Sequence, residues 1–108
     1  MNDEVLKVSM EIILNAGDAR TILDKSLLEA EKGNIELANE LILQAREKIV
    51  KAHCSQTAFI QEEASGKTHE FSVLFTHAQD TMMTIQTEIR LAQHIINILN
   101  IIYNGKNV

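Results

Sequence analysis

His77, Asp80, Thr84 and Thr87 recur at steps of three and four residues, which sets them on one face of a helix. Neutral imidazole is a nucleophile near pH 7, and a phosphoramidate formed on it can be passed onward. A carboxylate one turn away could fix the reactive tautomer, or bind a cation that offsets phosphate charge. If Asp80 faced a symmetry axis, several carboxylates would converge and would have to protonate, draw apart or bind a metal. A hard divalent ion such as Mg²⁺ suits an all-oxygen site of that kind. A His–Asp pair at this spacing is also a common surface hydrogen bond, and spacing alone leaves both readings open.

The other chemistry-bearing residues are less informative. His53, beside Gln56, is a candidate for a buried hydrogen-bonded group or a neighbour of the His77 site. His69 is expected in solvent, and His94 lies where packing is the simpler role. No pair has H-E-x-x-H or a comparable metal spacing. Cys54 has no activating neighbour except His53, so an inert thiol is expected. Met82 and Met83 read as core and interface filler. Glu62 and Glu63 read as solvated surface, and the chain has no Gly-rich phosphate loop and no G-x-S-x-G.

Two punctuation points, Gly33-Asn34 and Ser65-Gly66-Lys67-Thr68, divide the chain into the elements that must position these groups. Glycine suits the residue after a helix, and Asn34 and Thr68 are plausible N-caps. Helices are expected over 3–32, 35–65 and 69–104, each about 45 Å long at ~1.5 Å per residue. Short connections make neighbours antiparallel, so the expected fold is all-α, an up-down-up three-helix bundle in one domain spanning 1–108.

The first helix has an apolar stripe at Val5, Ile12, Ala16, Ala19, Leu23 and Ala30, joined by Ile13 and Leu27. The second has Ala38, Leu41, Ile42, Ala45, Ile49, Ala52, Phe59 and Ile60. Gly17, inside the first, marks a close approach or a kink. The third helix has two seams. One runs Phe71, Leu74, Ala78, Met82, Ile85, Ile89, Ala92, Ile96, Leu99 and Tyr103. Roughly opposite run Val73, His77, Asp80, Thr84, Thr87, Leu91, Ile95, Ile98 and Ile102. A three-helix monomer buries only one side of each helix, so this second seam needs another cover. Self-association around a symmetry axis supplies it, and so would further wrapping by the first two helices.

Composition narrows the class. Among 108 residues, 45% are hydrophobic and 23% charged, with no proline and four glycines, which favours long helices in a globular protein. The net charge of −5 argues against nucleic-acid binding and suits a basic protein partner. No apolar run approaches the ~20 residues needed to cross a bilayer. The start lacks a signal-peptide pattern, and a single cysteine fits a reducing compartment, so a cytoplasmic location is expected.

The segment F-S-V-L-F-T-H-A-Q-D-T-M-M-T, Phe71 to Thr84, resembles the signature of the lactose/cellobiose-specific IIA family of bacterial sugar phosphotransferase systems. A-G-D-A-R, Ala16–Arg20, resembles that family's first-helix segment, and A-H-C-S-Q-T-A-F-I-Q-E-E-A-S-G, Ala52–Gly66, its second-helix ending. Three fragments in order extend the likeness over nearly the whole chain. The resemblance implies a homotrimer with the third helix lining the subunit interface. It implies that His77 accepts phosphate from phosphorylated HPr and donates it to a cysteine of the cognate IIB protein. Asp80 would meet its symmetry mates around one divalent cation per trimer, expected to be Mg²⁺, and Gln79 would have an orienting role. Membrane contact would be indirect, through the IIC permease.

Two positions depart from the pattern. Many relatives carry a second histidine where this chain has Thr81, which can donate a hydrogen bond but cannot titrate near pH 7. Many also have glycine at Ala78, and alanine is the better helix former. The expected function is a phosphocarrier, with Phe75 and Met83 in an apolar contact ring around His77. The rival is a helical adaptor or regulator that uses the same bundle without His77 chemistry. A bundle-type metalloenzyme is set aside for want of Glu-x-x-His ligand pairs.

Overall fold

The computed structural model describes residues 3–105, which form three helices: α1 (Asp3–Glu31), α2 (Ile35–Ala64) and α3 (Val73–Asn104). Each runs the length of a rod measuring 54 × 21 × 17 Å, and each connection reverses the chain, giving the expected up-down-up bundle.

The stripes that face inward are those the periodicity marks. Val5, Ile12, Ala16, Ala19, Leu23 and Ala30 of α1 are buried against Ala38, Ile42, Ala45, Ile49, Ala52 and Phe59 of α2. Ala78, Met82, Ile85, Ile89, Ala92 and Ile96 of α3 complete the core. Alanine at so many contacts lets the helices approach closely, while each fully buried isoleucine contributes about 1.5–3 kcal/mol. Two serines also lie in the core. Ser26 donates to the Ala38 carbonyl at 2.6 Å and ties α1 to α2, and Ser9 donates to the Val5 carbonyl at 2.7 Å. Gln56 is buried on the α2 stripe, whereas Ile60 turns outward. Gly17 is exposed, and a β-carbon there would meet no neighbouring element within 4 Å, so it marks no close approach.

Gly33 closes α1 with φ +88°, a left-handed conformation that favours glycine. A β-carbon there would also meet the Tyr103 ring at 3.2 Å, so the end of α3 packs directly on this turn. Tyr103 donates its hydroxyl proton to the Glu31 carbonyl, one of the acceptors left free at the end of α1. Asn34 precedes α2 without capping it through its side chain, which instead donates to Glu29 Oε2 at 2.7 Å.

The start of α3 differs from expectation. The helix begins at Val73 and is capped by Ser72, whose hydroxyl accepts from the Phe75 amide at 3.2 Å. Thr68 is not a cap. Residues 67–72 are non-helical, and Phe71, expected in the core seam, is 85% exposed. The physical reason is His69. In a helix starting at 69 it would share a face with Val73 and Thr76, which are exposed. On the non-helical segment its ring instead stacks on Phe59, centroids 4.2 Å apart, and Phe59 in turn packs against Phe75 at 4.5 Å.

Candidate functional site

His77 lies in the second turn of α3 and is exposed. Asp80, Thr84 and Thr87 follow it on the same open face. Below them Leu91, Ile95, Ile98 and Ile102 are also exposed, as is Val73 above. Helices α1 and α2 therefore do not wrap around to cover the second seam. The face is a continuous strip, polar around His77 and apolar below it.

The three threonines fold back onto the helix. Thr81 donates to the His77 carbonyl at 2.8 Å, Thr84 to the Asp80 carbonyl at 2.8 Å, and Thr87 to the Met83 carbonyl at 3.2 Å. The hydroxyl proton of Thr81 is thus committed to backbone and is not offered to the imidazole. His77 and Asp80 share the face without bonding each other. Neither side chain makes a hydrogen bond or ion pair among the described residues, so both are available to groups outside the chain. Gln79 makes no bond to His77. It lines a cavity of about 330 Å³ with His69, Phe71, Phe75 and Thr76, between the segment before α3 and the end of α2.

Phe75 and Met83, expected in a contact ring, differ in exposure. Met83 is exposed, but Phe75 is partly buried and packs against Phe59 and the core. His53 and His94 are exposed, so neither is a buried hydrogen-bonded group, and Cys54 is an exposed free thiol. Arg20, from the A-G-D-A-R segment, forms a two-pronged ion pair with Glu88 of α3, at 3.2 Å from Nε and 3.0 Å from Nη2. That pair edges a groove of about 320 Å³ where Leu23 and Leu27 of α1 meet Leu91 and Ile95 of α3.

One cluster escaped the reading of the sequence. Lys67 bonds the Glu4 carboxylate at 3.0 and 3.2 Å and lies 3.6 Å from Glu62 Oε2. His69 Nε2 is 3.7 Å from that same Glu62 oxygen, and the His69 side chain is only 1% exposed. Its expected place in solvent is therefore overturned, as is the simple surface role of Glu62. The Lys67 ammonium holds the Glu4 carboxyl below its ordinary range, and Glu4 holds the Lys67 ammonium above its own. Residues 58 positions apart in the chain meet here, so no local motif announces the cluster.

Residues 7–100 match the family model described as "PTS system, Lactose/Cellobiose specific IIA subunit". The chain belongs to the lactose/cellobiose-specific IIA family. It is 36% identical over 98 residues to the lichenan-specific phosphotransferase enzyme IIA component of Bacillus subtilis, covering 91% of this chain and 89% of the relative. Against the lactose-specific EIIA component of Lactococcus lactis it is 36% identical over 96 residues, covering 89% and 91%. Two crystal structures share the fold. The cellobiose-specific enzyme IIA of Bacillus anthracis superposes with a TM-score of 0.86 at 37% identity, covering 92% of this chain and 91% of that one. PtcA from S. mutans gives 0.88 at 34%, covering 92% and 98%. This IIA component is accordingly a phosphotransfer protein of a sugar phosphotransferase system, a class that works with HPr and IIB proteins. Among its described residues no helix is long and apolar enough to cross a membrane.

Proposed function

We propose that this IIA component carries phosphate on His77, taking it from phosphorylated HPr and passing it to a cysteine of the cognate IIB protein. The observation that carries the proposal is His77 itself: exposed, unbonded among the described residues, and set on a helix beside an open apolar strip. Its neutral ring nitrogen attacks the phosphorus held by the HPr histidine. The new N–P bond forms as the old one breaks: the HPr imidazole leaves neutral from its protonated phospho form, His77 becomes the protonated phosphoimidazole in its place, and exchange between two imidazoles is close to thermoneutral. A cysteine thiolate of IIB then attacks the same phosphorus and releases His77 neutral. The exposed Met83 and the acidic surface suit a docking ring that is apolar inside and charge-complementary outside. The system serves a β-linked disaccharide such as lactose, cellobiose or chitobiose, and the protein works in the cytoplasm, reaching the membrane only through the IIC permease.

The working assembly in this proposal is a homotrimer with α3 at the centre. The exposed row Leu91, Ile95, Ile98 and Ile102 supports it, because an apolar strip of this length is otherwise left in water. Three copies of Asp80 would then face one axis. Each carboxylate is exposed and unbonded among the described residues of its own chain, and a set of carboxylate oxygens fits a hard divalent ion, Mg²⁺ in particular. Such an ion would offset the repulsion of the three charges next to the phosphate site. Gln79 takes a positioning role through the cavity wall it forms beside α3, without touching the imidazole.

The test is phosphotransfer from phosphoenolpyruvate through Enzyme I and HPr, read by intact mass and peptide mapping. One acid-labile phosphate per subunit on His77 is expected, and His77→Ala should take up none while keeping its fold. A His77→Ala protein that still gains phosphate sinks the assignment. A folded wild-type protein that gains none from its cognate HPr favours the adaptor reading.

A further inference from the structure

His69 is a buried histidine whose two ring nitrogens have no hydrogen-bond partner among the described residues. Glu62 Oε2, the oxygen it faces, is buried and lacks one too. Buried polar atoms without partners are rare in folded proteins, and a bound ion is one of the standard ways they are satisfied. The ring cannot turn away easily, because it is stacked on Phe59 at 4.2 Å. It is held with Nε2 3.7 Å from Glu62 Oε2, and a ring nitrogen lies within 4.8 Å of the Glu4 carboxylate.

We propose that Glu4, Glu62 and His69 form a divalent-metal site, separate from His77 and Asp80, that takes Zn²⁺. One donor atom from each lies within 4.8 Å of the other two. In a tetrahedral zinc site with bonds of ~2.0–2.1 Å, neighbouring donors stand about 3.3 Å apart. The 3.7 Å from His69 Nε2 to Glu62 Oε2 is too long for a good hydrogen bond, yet within a few tenths of an ångström of that edge. A mixed set of one imidazole and two carboxylates selects zinc over magnesium or calcium, which prefer oxygen alone.

Lys67 occupies the same ground. Its ammonium lies 3.0 Å from Glu4 Oε2 and 3.6 Å from Glu62 Oε2, and so balances the two carboxylates when no metal is bound. The Lys67 side chain is largely exposed and can swing into water as a divalent ion enters. Bound zinc would tie the first turn of α1, the last turn of α2 and the segment leading into α3. These are the pieces that set the start of the helix bearing His77.

The test is calorimetric titration of the full chain with ZnCl₂ after chelator treatment and removal of any affinity tag. Wild type should bind one more zinc per subunit than His69→Gln. Glu62→Gln, at a partly exposed position, should weaken that site more than about tenfold, and Lys67→Met should tighten it. Zinc should raise the melting temperature of wild type and leave that of His69→Gln unchanged, with matching circular dichroism showing that the variant folds. His53→Ala and His94→Ala should bind as wild type does. Equal zinc stoichiometry in wild type and His69→Gln overturns the proposal, as does no uptake by wild type at millimolar zinc.

Discussion

Replacing Ile98 by aspartate tests the open face of α3 most directly. Ile98 is 57% exposed in the single chain and makes no part of the buried core. A surface substitution of this kind should change the stability of one folded chain by only about 0.5–1 kcal/mol, most of it helix propensity. The trimer should respond quite differently. Full burial of an isoleucine side chain contributes about 1.5–3 kcal/mol, and slightly more than half of Ile98 remains to be buried by association. That is about 1–1.5 kcal/mol per subunit, or about 3–4.5 kcal/mol for three copies, a factor of ~10² to 10³ in the association constant before any charge is counted. Three aspartates converging at the axis then add several kcal/mol each in desolvation and mutual repulsion.

Sedimentation velocity at micromolar concentration, with circular dichroism on the same samples, separates the two effects. Wild type is expected to sediment as a trimer, and Ile98→Asp as a helical monomer. Leu43→Asp is the matched control, since Leu43 is 60% exposed but lies on the outward face of α2. It should leave the trimer intact. An Ile98→Asp protein that stays trimeric, or a wild type that is monomeric with its isoleucine row in water, refutes the inference from apolar exposure to assembly.

Three further perturbations have defined outcomes. Ser72→Ala removes the acceptor for the Phe75 amide and should cost about 1 kcal/mol in urea unfolding, whereas Thr68→Ala should cost nothing measurable. Asp80→Leu should give a trimer as stable as wild type or up to about 4 kcal/mol more stable, and insensitive to chelator, because it removes converging charges. Its dissociation into monomers would make the cation a required clamp. The Glu4–Lys67 pair should leave a pH signature. Glu4 titrates below its ordinary 4.5, so its contribution is present above that pH and lost as pH falls through the lower folded value. Lys67 titrates above its ordinary 10.5, so its contribution is present below that pH and lost at more alkaline values. The melting-temperature difference between wild type and Glu4→Gln should therefore be greatest between these limits and vanish in acid.

The bundle was legible because helical period and core burial are the same physics. Residues at Ile12, Ala16, Ala19 and Leu23 fall on one face of α1, and they are the residues that disappear from solvent. The second seam of α3 was legible for the same reason, as a surplus of apolar positions beyond what one contact face can use. The start of α3 was not, because Thr68 and Ser72 are both capping residues before an apolar run and local propensity does not separate them. A tertiary contact decides between them: the four extra residues stay non-helical so that His69 can cover Phe59.

The same contact explains why chemistry was harder to read than fold. His77, Asp80 and the threonines sit on one helix, where spacing alone puts them on one face. What spacing did not reveal is that the Thr81 proton is already spent on the His77 carbonyl and that Asp80 does not reach the imidazole. Among the described residues His77 therefore has no partner to hold its tautomer or counter its charge. Either those roles fall to groups from neighbouring subunits and docking partners, or the imidazole works without them. In the first case the open face is part of the active site as well as an assembly surface, and Ile98→Asp should slow phosphate transfer to His77 although residue 98 lies nearly six helical turns away.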